Sequence, residues 1–152
     1  MDGAFGRKWG ANYRYFSFNS GGSNIQESKT TETYDVKLCT LDEYLKEKAI
    51  TSNEISHIWI DTEGYEANAL HGAMDTLNSK RIPIWQEFNP HIYRRQGTWE
   101  RYLEDMGSVY KRFVDFREVR EAVKREHDIR ELRTYPEVMG EKDIHQTDLF
   151  FY

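Results

Sequence analysis

The chain has 152 residues, of which 38% are hydrophobic, 14% aromatic and 31% charged. So high an aromatic fraction argues against a disordered chain, and the length suits one domain with its own core. The formal net charge of −5 disfavours a nucleic-acid binder, since such affinity comes from clustered Lys and Arg. The single cysteine, Cys39, excludes an internal disulfide, and no apolar run or secretory pattern indicates a membrane span or export. We therefore expect one soluble, cytoplasmic domain.

The first third of the chain predicts two strands and a helix. The aromatic segment Tyr13–Phe18 and the alternating segment Tyr34–Leu38 are typical of strands, and we expect them to pair antiparallel. Thr40 and Glu43 have the spacing of a capping box, in which each side chain bonds the other residue's amide. A short amphipathic helix is therefore predicted directly after Thr40.

The centre of the chain predicts a strand, helix, strand unit. The run His57–Asp61 is apolar with little alternation, which favours a strand buried on both faces in a mostly parallel sheet. Apolar residues at helical spacing follow over residues 67–77, and Ile82–Phe88 has the pattern of a second strand. Parallel strands joined in this way end on one rim of the sheet. The acids expected on that rim are Asp61, Glu63 and Glu87.

The last third predicts a helix, two strands and a charged excursion. Thr98 is placed to cap a helix that Gly107 would end, and Ser108–Phe116 is consistent with a strand. The segment Arg117–Arg133 carries acids and bases at i,i+4 spacing, which predicts a solvated helical excursion. The aromatic ending Thr147–Tyr152 predicts a final strand.

Three segments stand in a recognisable order and spacing: Thr40–Leu45, Ile58–Ala73 and Trp85–Pro90. Together they resemble successive motifs of FkbM-type S-adenosylmethionine-dependent methyltransferases. Thr147–Phe151 is similar to the family's last strand. The resemblance implies an α/β fold with a Rossmann-like class I methyltransferase sheet, mostly parallel and with an antiparallel last strand. Residues 1–152 would form a single, partial domain of this kind.

The resemblance concerns the C-terminal half of that domain. The family's fold begins with a strand, a glycine-rich turn that approaches the methyl donor, and a second strand whose terminal acid binds the donor's ribose. We expect those N-terminal strands to be missing from this chain. Gly10–Asn12 imitates the glycine turn, but it precedes the strand-like Tyr13–Phe18 instead of opening a helix. We therefore expect an incomplete donor pocket.

The resemblance implies transfer of a methyl group from S-adenosylmethionine to the hydroxyl of a small-molecule or glycan acceptor. Asp61 and Glu63 would bind the cofactor and contribute to catalysis, while Glu87 and Asn89 would bind the acceptor. His91 is the candidate general base, because an ordinary histidine pKa of about 6.5 suits removal of a hydroxyl proton. No histidine or carboxylate spacing predicts a metal site.

Structural roles and other functions remain open for the same residues. Asp61 and Glu63 would also cap the following helix, and Asn89 would also begin a turn. Trp59 stands where the family has Lys, so a cation that would orient an acceptor is absent. A non-catalytic module, completed by a partner chain or a homo-oligomer, is therefore the second hypothesis. An acid-pair hydrolase built on Asp61 and Glu87 is the third.

Overall fold

The computed structural model describes residues 38–121 and 125–152 with their side chains, together with the backbone of three short strands that precede them. These strands are β1 (Ala11–Arg14), β2 (Asn24–Ile25) and β3 (Asp35–Val36), arranged antiparallel in the order β2-β1-β3. Strand β1 pairs antiparallel with β3 through Ala11 and Asn12, which precede the predicted segment Tyr13–Phe18, whereas Tyr13 and Arg14 pair with β2. Strand β1 begins earlier than predicted, and the remainder of the segment 13–18 lies outside the described residues. Ala11 and Asn12 are strand residues, as expected if they form no donor-binding turn.

The remaining described residues alternate between helices and the strands of a larger sheet. In chain order the elements are α1 (Leu41–Glu47), β4 (Ile58–Ile60), α2 (Glu66–His71), α3 (Met74–Ser79), β5 (Ile84–Phe88), α4 (Pro90–Arg95), α5 (Trp99–Val109), β6 (Arg112–Asp115), α6 (Phe116–Arg120), β7 (His127–Asp128), α7 (Tyr135–Glu141) and β8 (Thr147–Phe151). Two 3₁₀ turns lie at Ser52–Glu54 and Ile129–Arg133. In the described ranges no helix has the length and apolar character that crossing a membrane requires.

The larger sheet has the strand order β4-β5-β8-β6-β7. Among these strands only β4 and β5 pair parallel, whereas the pairs β5–β8, β8–β6 and β6–β7 are antiparallel. The prediction of a mostly parallel sheet is therefore wrong, while the antiparallel last strand is confirmed. The reason is the position of β8. Strands β5 and β6 run in the same direction, but β8 lies between them and runs in the opposite direction, so it forms two antiparallel pairs.

One face of this sheet supports the core. Alternate residues of β5 and β8 are buried, and the helices α2, α5 and α7 supply much of the apolar cluster packed with them. The other face is only partly covered, and Trp59 on β4 is 63% exposed. The prediction that His57–Asp61 is buried on both faces is therefore wrong. Strand β4 lies at the edge of the described sheet, where a side chain has fewer neighbours.

The capping box at the start of α1 is confirmed. The Glu43 amide donates to Thr40 Oγ1 at 3.0 Å, and the Thr40 amide donates to Glu43 Oε2 at 3.2 Å. The same helix start docks on the turn between α2 and α3, where the Asp42 amide donates to the Gly72 carbonyl oxygen at 3.0 Å. Asp42 also accepts from the Thr76 amide at 2.9 Å, so its carboxylate caps α3.

The later helices depart from their predicted limits. Helix α5 continues past Gly107 to Val109, and both Val109 and Tyr110 are buried, so core packing extends the helix beyond the glycine. The charged segment 117–133 is not a solvated excursion, because Glu118 and His127 are buried within it. Contacts between charged groups in this segment include Arg117 with Glu121, Arg125 with Glu131 and Arg130 with Asp128, and His127 Nε2 lies 2.8 Å from Glu118 Oε2.

Asp115, at the end of β6, is a fully buried carboxylate that joins several elements. It accepts from the Tyr135 hydroxyl of α7 and from the Thr147 hydroxyl of β8, both at 2.7 Å. The Arg117 amide donates to it at 2.7 Å, and Arg117 Nη2 donates at 3.2 Å. One acid therefore satisfies donors from α6, α7 and β8.

Replacing Asp115 with Ala should lower the free energy of unfolding by about 3 kcal/mol, because buried donors lose their acceptor. Chemical denaturation followed by tryptophan fluorescence would measure the change. Glu104→Ala, at an exposed acid on α5, is the matched control and should change stability by less than about 0.5 kcal/mol. Equal effects of the two substitutions would contradict this role for Asp115.

Candidate active site

The loop that follows β4 has an unusual backbone. Glu63 and Gly64 adopt positive φ angles of 53° and 95°, in the region that favours glycine. A Cβ atom on Gly64 would lie 2.9 Å from both Cδ1 and Cγ2 of Ile92, on α4. The loop therefore packs closely on α4, and this position requires glycine for its conformation and for space.

Glu66, the first residue of α2, holds this loop in place. It has no exposed surface, and its Oε1 accepts from the Thr62 amide at 2.9 Å, the Thr62 hydroxyl at 3.0 Å and the Gly64 amide at 3.0 Å. A buried carboxylate needs such donors to offset the loss of water. The side chain of Glu66 thus folds the loop back over the helix that begins with it.

Tyr93 connects the loop to the end of β5. Its hydroxyl lies 3.3 Å from Glu66 Oε2 and 3.0 Å from the Glu87 carbonyl oxygen. Burial, together with the nearby Tyr102 and Glu66, raises the pKa of Tyr93 well above its ordinary value, so the hydroxyl keeps its proton. Gln96 adds a second link from the α4 end, donating from Nε2 to the Gly64 carbonyl oxygen at 3.1 Å.

The predicted convergence of acids at one rim of the sheet is confirmed. Ile60 is in register with Gln86, so Asp61 and Glu87 follow the last registered pair of β4 and β5. Desolvation, followed by the charges of Asp61, Glu66, Glu63 and Asp148, raises the pKa of Glu87 to about 7. Desolvation, with Asp61 and Glu66, also raises the pKa of Glu63. In the part of the chain that the structure describes, no Lys or Arg forms an ion pair with these rim acids.

The structure places the other predicted site residues around this rim. Asp61 and Glu63 are exposed, and Glu87 is half-buried and accepts from Gln146 Nε2 at 3.1 Å. Asn89 caps α4, accepting from the Ile92 amide at 3.4 Å, so it begins a helix and not the turn considered for it. His91 is exposed in the first turn of α4, with its ring centroid 6.1 Å from that of His145. Their assigned roles in binding and catalysis stay predictions.

Sequence reasoning missed Glu66 as a site residue. Its position in the helical pattern could have indicated a buried acid. Glu66, Ala67 and Leu70 lie on the buried side of α2, so Glu66 belongs to the apolar face of this helix. An acid in such a stripe has to find donors nearby. For metals, no group of three or more His, Cys, Asp or Glu side chains in the described residues is arranged to hold an ion.

The family model described as the methyltransferase FkbM domain matches residues 6–130. The chain belongs to the FkbM methyltransferase family. The matched range includes β4, β5, the rim acids and α4, so the resemblance seen in the motifs is confirmed. Comparison with curated proteins and with solved structures gave no match. Methyl transfer is the general chemistry that membership of the FkbM family indicates.

Replacing Gly64 with Ala should lower the free energy of unfolding by about 2 kcal/mol, through the positive φ and the contact with Ile92. In an Ile92→Ala background the loss should be smaller, because both atoms that lie 2.9 Å from the new Cβ are then absent. Chemical denaturation of the four proteins in this double-mutant cycle measures the coupling. Additive effects would show that the contact with Ile92 does not matter.

Glu87 should make the folded chain less stable as the pH rises. Its folded pKa of about 7 lies above the ordinary value of 4.5, so the folded state binds the proton more tightly than the unfolded state. The contribution of Glu87 to the free energy of unfolding is therefore fully present below pH 4.5. It is lost as the pH rises from 4.5 to about 7.

Glu87→Gln should remove this part of the pH dependence and make the chain more stable than the wild type at pH 8. Thermal unfolding between pH 5 and 8 would measure both effects. Glu104→Gln, at an exposed acid on α5, should leave the profile unchanged. A wild-type profile that rises through this range and is not altered by Glu87→Gln would refute the assignment.

Proposed function

We propose that this FkbM methyltransferase transfers a methyl group from S-adenosylmethionine to a hydroxyl oxygen of a small-molecule or glycan acceptor. The observation that carries the proposal is the concentration of carboxylates at the rim formed by β4 and β5. Family membership supports the methyl transfer itself. The exposed position of Asp61 and Glu63 supports a binding role, because an incoming molecule can reach them.

The charge of this rim fits the charge of the donor. S-Adenosylmethionine carries a positive sulfonium and an ammonium group, and desolvation and then the neighbouring carboxylates raise the pKa values of Glu63 and Glu87, so positive charge would be favoured here. Asp61 and Glu63 would hold the charged end of the donor. When bound, the donor supplies a methyl carbon that is activated by positively charged sulfur. The glycine turn and the ribose-binding acid of the family are the parts of this pocket that we expect to be missing.

The residues of the chain would contribute position and a proton acceptor. In methyl transfer to a hydroxyl, a bond forms between the acceptor oxygen and the methyl carbon while the carbon–sulfur bond breaks, its electron pair passing to sulfur. The hydroxyl proton must go to a base. Glu87 has a pKa of about 7, which suits that role near neutral pH, and His91 is the other candidate. The hydrogen bonds of Glu66 to Thr62 and Gly64 would keep the loop that carries Asp61 and Glu63 in place during the transfer.

Isothermal titration with S-adenosylmethionine and with S-adenosylhomocysteine tests the role of charge at the rim. S-Adenosylhomocysteine lacks the sulfonium charge, so it should bind at least about fivefold more weakly than S-adenosylmethionine. The double variant Asp61→Asn, Glu63→Gln should bind S-adenosylmethionine about tenfold more weakly than the wild type. Glu104→Gln, which changes an exposed acid on α5, should bind like the wild type.

Methyl transfer itself is measured with donor labelled in the methyl group and a panel of simple glycosides and alcohols. Formation of a labelled methyl ether with at least one acceptor is the expected result, and Glu87→Gln should lower its rate. The proposal fails if the donor does not bind at about 1 mM, or if it binds and no hydroxyl in the panel is labelled.

A further inference from the structure

A cleft of about 640 Å³ lies between helix α5 and the 3₁₀ turn Ile129–Arg133. Volumes of this order are typical of sites that bind small organic molecules. Phe113 of β6 and Ile84 of β5 both pair with Phe151, so β5 and β6 begin at the same end of the sheet. Lys111 borders the cleft directly before β6, which places the cleft at that end. The rim acids follow the opposite ends of β4 and β5, so the cleft is separate from the candidate active site.

Contacts with the rest of the fold hold both walls of the cleft. The Ile129 amide donates to the Lys111 carbonyl oxygen at 2.9 Å, which ties the turn to the start of β6. Leu132 has no exposed surface and anchors the turn in the core. Arg133 forms an ion pair with Glu100 of α5 at 2.9 Å. The cleft is therefore preformed, and a ligand would have little to order on binding.

Apolar groups form part of the surface of this cleft. Leu103 and Ile129 line it, and both are partly buried against the hydrophobic core. Gly107 lies one turn beyond Leu103 on α5, where an added Cβ atom would meet no neighbouring atom within 4 Å. Glycine lowers the stability of a helix interior, so helix formation does not account for this residue. The open helix surface leaves space for the apolar body of a ligand.

Lys111 is a cation without a partner at the edge of the cleft. In the described ranges it forms no ion pair. Arg130 and Arg133 also line the cleft, and they pair with Asp128 and Glu100. Each guanidinium keeps N–H donors that these pairs do not use. The cleft therefore offers an unpaired ammonium and spare guanidinium donors to an anion.

The charges that line the cleft have one positive charge in excess. Its three cations are accompanied by two acids, Asp128 and Glu104. The whole chain has a formal net charge of −5, so a local excess of cations is contrary to its composition. Glu104 is exposed on the α5 wall and would oppose an anion. One excess charge therefore fits a ligand with a single negative charge.

We propose that this cleft binds a small organic carboxylate with an apolar body. The carboxylate would accept from the Lys111 ammonium and from unused N–H groups of Arg130. The apolar body would lie against Leu103 and Ile129, in the space that Gly107 leaves open.

Titration of the isotope-labelled full chain with 3-phenylpropionate, followed by the shifts of backbone amide signals in NMR spectra, tests the proposal. Shifts should concentrate at Gly107, Lys111 and Ile129, with a Kd of about 1 mM or lower. The neutral 3-phenylpropanamide, which has the same shape, should bind at least about fivefold more weakly. Acetate, which lacks the apolar body, should also bind at least about fivefold more weakly. Added salt should weaken the binding of 3-phenylpropionate.

Substitutions separate the contributions of charge and space. Lys111→Gln should weaken binding by about fivefold, whereas Lys142→Gln, at an exposed lysine that follows α7, should leave it unchanged. Glu104→Gln removes a like charge and should strengthen binding by about twofold. Gly107→Leu fills the cleft and should abolish binding. Leu favours a helix more than Gly does, so thermal unfolding of this variant should not occur at a lower temperature.

Four results would overturn the proposal. They are no binding of 3-phenylpropionate at about 5 mM, equal binding of its amide, equal effects of Lys111→Gln and Lys142→Gln, and unchanged binding in Gly107→Leu. Shifts confined to Asp61, Glu63 and Glu87 would also contradict it, because the ligand would then bind at the rim. None of these measurements depends on methyl transfer, so their failure would leave the proposed function unaffected.

Discussion

The candidate site depends on one buried charge. Glu66 has no exposed surface, and a carboxylate in that position is tolerated only where donors replace water. The nearest donors are the amides of Thr62 and Gly64, so satisfying Glu66 fixes the path of the loop between β4 and α2. Tyr93 lies between Glu66 and the carbonyl oxygen of Glu87, which ties this loop to the next strand. The rim acids therefore owe their positions to a residue that is itself inaccessible.

Three tyrosines in the core also have buried polar groups whose hydrogen bonds fix the positions of neighbouring elements. Tyr102 accepts from Gln86 Nε2 at 2.6 Å, Tyr110 donates to the Ile82 carbonyl oxygen at 2.5 Å, and Tyr135 donates to Asp115 at 2.7 Å. Each ring is buried among apolar side chains, while its hydroxyl reaches a partner in or next to a strand. Purely apolar side chains would fill the same space without fixing the orientation of the helices relative to the sheet. These hydrogen bonds define how the helices sit on the sheet and so where α4 meets the rim.

Local sequence patterns predicted the features that depend on neighbours along the chain. The capping box at Thr40 follows from spacing alone, as does a strand over Ile82–Phe88, of which Ile84–Phe88 forms β5. The meeting of Asp61 with Glu87 follows from parallel strand ends. The exposure of Trp59 depends on which strand stands at the sheet's edge, which spacing does not reveal. Glu66 was missed because acids are usually exposed. The resemblance to FkbM methyltransferases supplied the lineage, but not the buried acid that organises the loop.

The position of β8 has a consequence for how the chain folds. Leu149 pairs with Gln86 on one side and Asp115 on the other, so a strand synthesised after both β5 and β6 lies between them in the larger sheet. On a ribosome, β5 and β6 would both emerge with an open flank that only β8 can fill. Contacts so distant along the chain delay assembly, because their loop-closure entropy must be overcome first. The central part of the sheet therefore assembles after translation of residues 147–151, and until then the unpaired flanks of β5 and β6 are open to aggregation.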